Sequence, residues 1–374
     1  MKILHTSDLH LGKNLLEESL FEDQKLVLED IIKIIKEKNI DVVLIAGDIY
    51  DKSIPSVDAV NLFDNFLFEL SKIKTEVLII SGNHDSNDRL SFGSKIFDNM
   101  NIHIETEYTG KLKKYSFDDV DFYMLPFVKP FHIKKYMTME EYENVNSSNE
   151  MMKWILKNEK IDKSRKNIIM LHQFVMNAGD KIEFSDSESQ TNVGTLDAID
   201  VNLFDDFDYV ALGHIHRGQK IKRDTVRYSG TPLKYSFSEV NNKNGVIIYD
   251  TDNKEYEIIE INPLRKMRVI RGYFDDIMKM DKSDDLIRIE LLDENNIISP
   301  MDDLKKKFPN ALSLAFISNK ANDENIFNTV NNISENETPF DLFNDFFEYQ
   351  NGRKLNDNES KYLNNIINML GGEE

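Results

Sequence analysis

The stretch DVVLIAGD, residues 41–48, is an unbroken apolar run that ends in glycine and aspartate. It is rich in β-branched residues and does not alternate with polar ones, which is the pattern of a strand buried on both faces. A second run of this kind, EVLIISGNHD, occupies residues 76–85. Segments 21–39 and 56–73 have the apolar spacing of helices. Strand and helix therefore alternate in the front part of the chain, which predicts a layered α/β sheet.

The composition indicates a globular protein without thiol chemistry. The chain has 374 residues, 40% of them hydrophobic and 30% charged, and is long enough for two or three domains. There is no cysteine, so disulfides, thiolate nucleophiles and cysteine zinc sites are excluded. No apolar run approaches the ~20 residues that span a bilayer, and the N-terminal segment lacks the apolar core of a signal peptide. We therefore expect a cytoplasmic protein without membrane association.

The charge balance is acidic, with 46 Lys+Arg against 66 Asp+Glu and a net charge of −20. A surface that is basic throughout is thus excluded, but a local basic track is not. The segment RGQKIKRDTVR, residues 217–227, is the candidate DNA contact because it carries five basic residues and one acid. Its basic residues are Arg217, Lys220, Lys222, Arg223 and Arg227. The alternative is an ordinary solvated surface, as most charged stretches are.

Polar side chains follow five of the predicted strands at the points where those strands end. They are Asp8, His10, Asp48, Asn83, His84, His172, His214 and His216. The last of these strands is predicted over 208–216, which would place His214 and His216 on one face. Ligands of α/β sheets bind beyond the carboxyl ends of the strands. Each residue alone has an ordinary interpretation, such as a Gly-Asp turn, a hydrogen-bonded core histidine or a polar strand edge. The chain has only eight histidines, so their concentration at these strand ends predicts a metal centre. Imidazole, carboxylate and amide ligands without thiolates favour Mn²⁺ over Mg²⁺ or Zn²⁺.

The order of these motifs, D-x-H, GD, GNHD, H and GHxH, is similar to that of the calcineurin-like metallophosphoesterases. The longer stretches ILHTSDLHLG, AGDIYD, GNHDS, DYVALGHIHR and RYSGTPLKYSFSE resemble the SbcD family of bacterial nuclease subunits, relatives of the archaeal and eukaryotic double-strand-break repair nucleases. The resemblance covers about residues 1–262 with strong motifs, and the remainder more loosely.

The resemblance implies two metal ions, Mn²⁺ or alternatively Mg²⁺, bridged by Asp48. The implied ligands are Asp8, His10 and His216 for the first ion, and Asn83, His172 and His214 for the second. His84 is not expected to be a ligand; the family pattern places it near the phosphate, where it stabilises charge or protonates the leaving oxygen. Some relatives carry a further histidine after the GD motif, where this chain has Asp51, so no second histidine can assist there.

The function that the resemblance implies is that of a Mn²⁺-dependent DNA nuclease subunit. Such a subunit is a double-strand exonuclease and a single-strand or hairpin endonuclease, and it works with the SMC-like ATPase SbcC on DNA ends in repair and recombination. We expect it to be associated with the nucleoid when it acts. One alternative is a phosphoesterase of cyclic nucleotides, other small phosphodiesters or phosphoproteins, but its chain would end soon after the core. The other is a scaffold without metals, which is disfavoured because every metal position holds a competent residue.

We predict three parts: a metallophosphoesterase β-sandwich flanked by helices at 1–262, a smaller α+β capping domain plus linker at 263–337, and a helical pair at 338–374. Within the second part, segments 286–292 and 311–318 are predicted strands and 299–308 is a predicted helix. In SbcD-like proteins a capping domain sits over the nuclease site and helps to shape the DNA path. The alternative is an accessory domain with another role.

The helical pair is predicted from the segments 338–350 and 356–370, of which the second has Asn356 and Glu359 at capping-box spacing. The resemblance implies that the pair docks on the coiled-coil base of the SbcC ATPase. The candidate partner-binding residues are Phe340, Phe343, Phe347, Leu363, Ile366 and Ile367. The alternative is that the helices fold back on their own domain.

The helix at 56–73 carries more apolar residues than one sheet-facing stripe needs. SbcD-like proteins dimerise through helices near the second and third strands, so we expect a homodimer that forms a heterotetramer with the ATPase. Core packing could also absorb the surplus.

Overall fold

The computed structural model describes residues 1–179, 182–187, 197–293, 297–317, 338, 340, 343, 344, 347 and 353–370. The chain forms two compact units, Met1–Ile317 and Ser318–Glu374. Among the described residues, no helix is long and apolar enough to cross a membrane.

The described strands of the first unit are β1 Lys2–Thr6, β2 Asn14–Leu15, β3 Glu18–Ser19, β4 Val42–Ala46, β5 Glu76–Ile80, β6 Ile102–Glu105, β7 Lys113–Phe117, β8 Val120–Leu125, β9 Lys166–His172, β10 Val175–Met176, β11 Ile199–Asp200, β12 Tyr209–Gly213, β13 Gln219–Ile221, β14 Arg223–Tyr228, β15 Gly245–Asp250, β16 Glu255–Glu260, β17 Met267–Gly272, β18 Leu286–Leu291 and β19 Ala311–Phe316. Its described α-helices are α1 Phe21–Lys38, α2 Val57–Ser71, α3 Asn87–Leu90, α4 Ser94–Phe97, α5 Pro130–Ile133, α6 Met139–Glu143, α7 Ser148–Lys157, α8 Phe274–Ile277 and α9 Pro300–Lys307.

Two six-stranded sheets stack face to face, with strand orders β16-β15-β1-β4-β5-β6 and β13-β14-β12-β9-β8-β7. The central strands pair in parallel, and the antiparallel strands lie towards the edges of the sheets. Both faces of β4 are buried, which explains why its apolar run is unbroken. Leu44 packs between the two sheets, whereas Val43 and Ile45 pack under the helices. The predicted α/β sandwich is confirmed.

Helices cover the outer faces of both sheets. The stripe of α1 that includes Val27, Ile31 and Ile35 packs on the first sheet beside α2, and α7 packs on the second sheet. On α2, the side chains of Val57 and Phe68 are 75% and 58% exposed within this chain. The apolar surplus of α2 therefore lies at the surface. The strands β6, β7, β13, β15 and β16 and the helix α7 were not singled out from the sequence.

The segment after the sandwich forms a three-stranded parallel sheet in the order β17-β18-β19. Its core includes Ile287 and Ile289 from β18 and Leu304 from α9. Arg265, just before β17, donates two hydrogen bonds to the buried Asp23 carboxylate on α1, at 2.6 and 3.0 Å. The strands predicted at 286–292 and 311–318 and the helix predicted at 299–308 are confirmed within two residues at each end.

The second unit contains the helix α10, Asp357–Leu370. The predicted capping box is confirmed, because Asn356 Oδ1 accepts the Glu359 N–H at 3.0 Å and Glu359 Oε2 accepts the Asn356 N–H at 2.8 Å. Most of the helix predicted at 338–350 lies outside the described residues. An apolar groove of about 420 Å³ is lined by Phe343, Phe347 and Ile366, among others.

Candidate metal centre

Five loops at the carboxyl ends of β1, β4, β5, β9 and β12 meet at one rim of the sandwich. The strands β1, β4 and β5 are neighbours in one sheet, and β9 and β12 are neighbours in the other. Backbone hydrogen bonds join the first two loops: Asp8 N–H donates to Gly47 O at 2.9 Å, and His10 N–H donates to Asp48 O at 3.0 Å. The stacking of the sheets brings the loops from both sets of strands together.

The backbone of this rim is strained at the residues that carry the polar side chains. The φ angles of Asp8, His10, Asp48 and His214 are 54°, 43°, 52° and 99°. Residues other than glycine rarely adopt positive φ, and such strain concentrates at functional sites. These turns direct the side chains inwards over the strand ends.

Two glycines allow the loops to interlock. A Cβ atom on Gly213 would overlap the carbonyl oxygen of Ala46, and one on Gly82 would overlap the backbone nitrogen and carboxylate of Asp48. Glycine is the residue that permits such a close approach. This explains why glycine directly precedes Asn83 and His214.

Asp8, His10 and His216 form the first donor group. Each has a ligand atom within 4.8 Å of those of the other two, and all three are buried. The Nε2 atoms of His10 and His216 lie 3.1 Å apart. The Oδ2 atom of Asp48 is 3.6 Å from His10 Nε2.

Asn83, His172 and His214 form the second donor group. Asn83 Oδ1 lies 3.1 Å from His172 Nε2 and 2.9 Å from His214 Nδ1. The same Oδ2 atom of Asp48 is 3.4 Å from His172 Nε2. Asp48 therefore lies between the two donor groups.

The backbone between His214 and His216 differs from the sequence expectation. An extended strand was predicted over 208–216, which would place both imidazoles on one face, but β12 ends at Gly213. The turn at His214 sends its ring to Asn83, whereas His216 reaches His10. The expectation of a shared strand face is wrong, and the turn is what separates the two rings.

The electrostatics of the rim couple Asp48 to His172. Burial alone would lower the pKa of His172, but the carboxylates of Asp48 and Asp8 outweigh it and raise this pKa to about 9. Burial would raise the pKa of Asp48, yet His172 and the other imidazoles hold it well below its usual value. Burial lowers the pKa of His10 well below its usual value and that of His214 to about 3.

His84 is only partly buried, with 35% of its side chain exposed. Its Nδ1 lies 2.8 Å from the carbonyl oxygen of Asp51, an acceptor, so Nδ1 carries the proton. Its Nε2 faces the donor atoms of the rim and lies 4.0 Å from Asp48 Oδ2. This is the orientation of a group that can meet a substrate over the donors.

The donor atoms fit a pair of divalent cations. In the first group two imidazole nitrogens point at each other, and in the second one amide oxygen faces two imidazoles. His172 donates through Nδ1 to Ala46 O at 2.7 Å, so Nε2 is the ring nitrogen that faces the rim, and loss of its proton would free a lone pair there for a metal ion. Nitrogen and oxygen donors without thiolates suit Mn²⁺ and Mg²⁺.

Several residues behind the donors were not predicted from the sequence. Gln24, on α1, donates to the carbonyl oxygen of His10 at 2.7 Å. Glu239 is fully buried; burial raises its pKa, but the charge of the nearby His216 and a hydrogen bond from the Ser187 hydroxyl lower it below its usual value. Glu239 lies in RYSGTPLKYSFSE, a stretch whose sequence indicates a family resemblance but no role for this residue. Gln24 has no comparable signal.

The basic side chains of the candidate DNA-binding segment 217–227 mostly contact other residues of this chain. Arg227 is buried with its guanidinium 4.0 Å from the centre of the Tyr256 ring, so its side chain does not lie at the surface of this chain. Arg223 donates to the carbonyl oxygens of Phe204 and Phe207. Lys220 pairs with Asp224 at 3.0 Å, Lys222 lies 3.5 Å from Asp205, and Arg217 pairs with Glu183. The last three residues of β14, Val226, Arg227 and Tyr228, are all buried, which the basic composition of the segment does not reveal.

Comparison with known proteins adds two family matches. The family of calcineurin-like phosphoesterases matches residues 1–218, and the type 5 capsule protein repressor C-terminal domain matches residues 263–351. The SbcD subunit of the nuclease SbcCD from Staphylococcus epidermidis (strain ATCC 12228 / FDA PCI 1200) is 35% identical over 324 residues, which are 84% of this chain and 85% of that protein.

Two solved structures are similar more loosely. One is a novel archaeal phosphodiesterase, 15% identical, with a TM-score of 0.32 over 70% of this chain and 100% of that one. The other is GAP50, the anchor in the inner membrane complex of Plasmodium, 11% identical, with a TM-score of 0.39 over 85% of this chain and 98% of that one. Likenesses at these TM-scores have no bearing on the function.

The fold and the rim define a phosphoesterase whose donors suit divalent metals. The chain belongs to the calcineurin-like phosphoesterase family, and within it to the SbcD family of nuclease subunits. It is a hydrolase that acts on phosphodiester bonds.

Proposed function

We propose that the chain is the DNA nuclease subunit of an assembly with an SbcC-like, SMC-family ATPase. It acts as a double-strand exonuclease and a single-strand or hairpin endonuclease on DNA ends during repair and recombination, in the cytoplasm at the nucleoid. The observation that carries the proposal is the convergence of both donor groups on Asp48, in a chain 35% identical to a nuclease subunit over most of its length.

The first donor group would hold one ion and the second donor group the other, with the Asp48 carboxylate contributing to both. Mn²⁺ suits this mixture of imidazole, amide and carboxylate ligands best, and Mg²⁺ can replace it. The chemistry that such a pair supplies is activation of water and neutralisation of phosphate charge.

His84 carries the proton transfer. Because its Nδ1–H is directed to Asp51 O, its Nε2 faces the cluster and can donate a proton to the leaving oxygen. Asp51 itself holds Lys13 at 2.8 Å and lies 3.8 Å from His10 Nδ1. In this chain Asp51 thus orients His84 through its backbone carbonyl oxygen and supplies no second imidazole.

The remaining parts of the chain have the following roles in the proposal. Residues 1–262 form the nuclease domain, and 263–337 form the capping domain with its linker. The helical pair at 338–374 binds the ATPase through the groove near Phe343 and Ile366, where α10 also exposes 70% of Tyr362. Two copies dimerise through the exposed apolar residues of α2 and form a heterotetramer with the ATPase.

The small-phosphodiester alternative is less well supported. It expects a chain that ends near the last strand of the sandwich, whereas this one continues into a separately cored three-stranded module.

The test is a nuclease assay of the full chain with Mn²⁺ or Mg²⁺ on linear, hairpin and circular DNA, beside a chromogenic phosphodiester. We expect Mn²⁺-dependent cleavage of the DNA substrates with ends. His84→Gln should bind two Mn²⁺ equivalents and DNA normally while turnover falls by about 10²–10⁴-fold. Rapid hydrolysis of the chromogenic ester with no cleavage of any DNA would instead favour the alternative.

A further inference from the structure

We propose that Glu239, acting through the Ser187 hydroxyl, is a positioning residue that fixes the His216 imidazole as a ligand of the first metal ion. The inference rests on the metal pair of the proposed function. It gives a role to the KYSFSE end of RYSGTPLKYSFSE, whose sequence indicates only a family resemblance.

The contacts form a chain of three groups. Ser187 Oγ lies 2.6 Å from His216 Nδ1 and donates to Glu239 Oε1 at 2.5 Å. The carboxylate oxygen is itself 3.9 Å from His216 Nδ1, too far for a direct hydrogen bond. The hydroxyl therefore connects the carboxylate to the imidazole.

The direction of the protons follows from the chemistry of the three groups. An ionised carboxylate can only accept, and a serine hydroxyl has one proton to donate. Ser187 gives that proton to Glu239, so its oxygen accepts from His216 Nδ1–H. The lone pair of His216 then lies on Nε2, the atom 3.1 Å from His10 Nε2 in the first donor group.

The carboxylate is held rigidly behind the site. Glu239 is 0% exposed, and its Oε2 accepts the Tyr235 N–H at 2.9 Å. Among the described residues, no lysine or arginine forms an ion pair with it. A buried carboxylate needs a compensating positive charge, and a cation bound by His216 would supply it through Ser187.

The same segment supports the neighbouring ligand. The Tyr235 ring stands edge-on to His10 with the ring centres 5.7 Å apart, and the Tyr235 hydroxyl donates to Leu9 O. Residues 235–239 thus help to hold both imidazoles of the first donor group: Tyr235 packs against His10, and Glu239 acts on His216 through Ser187.

The experiment measures Mn²⁺ binding to the full chain by calorimetry, without DNA. Glu239→Gln and Ser187→Ala should each weaken one of the two Mn²⁺ equivalents by about 10–100-fold and leave the other unchanged. The double variant should be no weaker than the weaker single variant, because both changes interrupt one relay. Glu260→Gln is the matched control, since it removes an exposed carboxylate that pairs with Lys243 at 3.1 Å, and it should not alter binding.

A second readout separates positioning from general support of the fold. In the metal-free protein, ¹⁵N spectra of the histidine side chains should show His216 as the Nδ1–H tautomer, and both variants should lose that preference. A lower melting temperature with unchanged tautomer and Mn²⁺ affinity would make Glu239 merely structural and overturn the inference. Should Glu239→Gln fail to fold, the smaller change Ser187→Ala decides by itself.

The outcomes also distinguish this inference from the proposed function. Wild-type protein that does not bind two Mn²⁺ equivalents overturns both. If the wild type binds two equivalents and the variants bind them equally well, only the relay is wrong.

Discussion

The first donor group is oriented by side chains from remote parts of the sequence, whereas the second is oriented mainly by backbone. Gln24 and Glu239 support the first group from α1 and from the segment after β14. In the second group, His172 is held by the carbonyl oxygen of Ala46, and Gly82 and Gly213 make room for the adjoining loops. Folding assembles both donor groups from distant segments; the first is then held by side chains such as Gln24 and Glu239, and the second by backbone carbonyls and by glycines next to its ligands.

The largest effect on metal binding is expected at Asp48, which lies between the two donor groups. Asp48→Ala removes the oxygen that lies within 3.6 Å of imidazoles in both groups, so tight binding of both ions should be lost. Metal analysis of the purified variant tests this, with Asp206→Ala as a control, because Asp206 is an exposed aspartate that pairs with Lys163. Two equivalents still bound to the Asp48 variant would refute the bridging role.

The second prediction addresses the half that depends on backbone. The added methyl group of Gly213→Ala would overlap Ala46 O, which must move the loops of β4 and β12 apart. Overpacking of this kind costs about 1–3 kcal/mol of unfolding free energy. We expect a lower melting temperature together with loss of the ion held by the second donor group.

The matched control for that substitution is Gly272→Ala, whose new Cβ would meet its nearest neighbour at an ordinary 3.6 Å. Gly272→Ala should change neither the melting temperature nor the binding of the ion by the second donor group. If Gly213→Ala keeps both its stability and two Mn²⁺ equivalents, the second donor group does not depend on this close approach of the backbone.

Much of the fold and of the donor set was predictable from sequence. Buried parallel strands leave unbroken apolar runs such as that of β4, and each run ends in the loop that carries the ligands. The motifs GD, GNHD and GHIH place a glycine beside the ligand because the close approach requires it. The capping box at Asn356 is local in the same way.

The remainder depends on contacts between distant residues. Ser187 and Glu239 are 52 positions apart, and no local pattern couples them. The left-handed backbone at His214, with φ of 99°, is imposed by the packed loops and not by histidine. The burial of Arg227 follows from the pairing of β14 with β12, since Arg227 lies opposite the buried Ala211.

The third prediction concerns pH and again separates the halves. The pKa of His172 is raised from 6.5 to about 9, so the metal-free protein holds this proton at pH 7. A metal needs the neutral imidazole, so binding at the second donor group should release about one proton. Its affinity should rise about tenfold per pH unit between pH 7 and about 9 and then level off. His10, whose pKa lies well below its usual value, should release none.

Calorimetry in buffers of different ionisation enthalpy measures the released protons. Above about pH 9 the release should disappear, which serves as the internal control. Equal proton release for both Mn²⁺ equivalents at pH 7 would contradict the difference between the halves.

The smallest effect is expected at the edges of the site, where DNA would pass. Arg217 follows the first-group ligand His216 but is paired with Glu183. Lys129 lines a small cavity with His214 of the second group, and no described residue places a carboxylate within ion-pair distance of it. A lysine without a carboxylate partner is free to neutralise a phosphate, whereas a paired arginine must first give up its partner.

Lys129→Ala should therefore weaken DNA binding several-fold and reduce the slope of log affinity against log salt by about 1. Arg217→Ala should have a smaller effect on both the affinity for DNA and the salt dependence of that affinity. Titrations of a labelled duplex at several salt concentrations, with both ions present, compare the two variants directly. A larger loss from Arg217→Ala would place the DNA on the side of the first donor group and restore the track predicted from sequence.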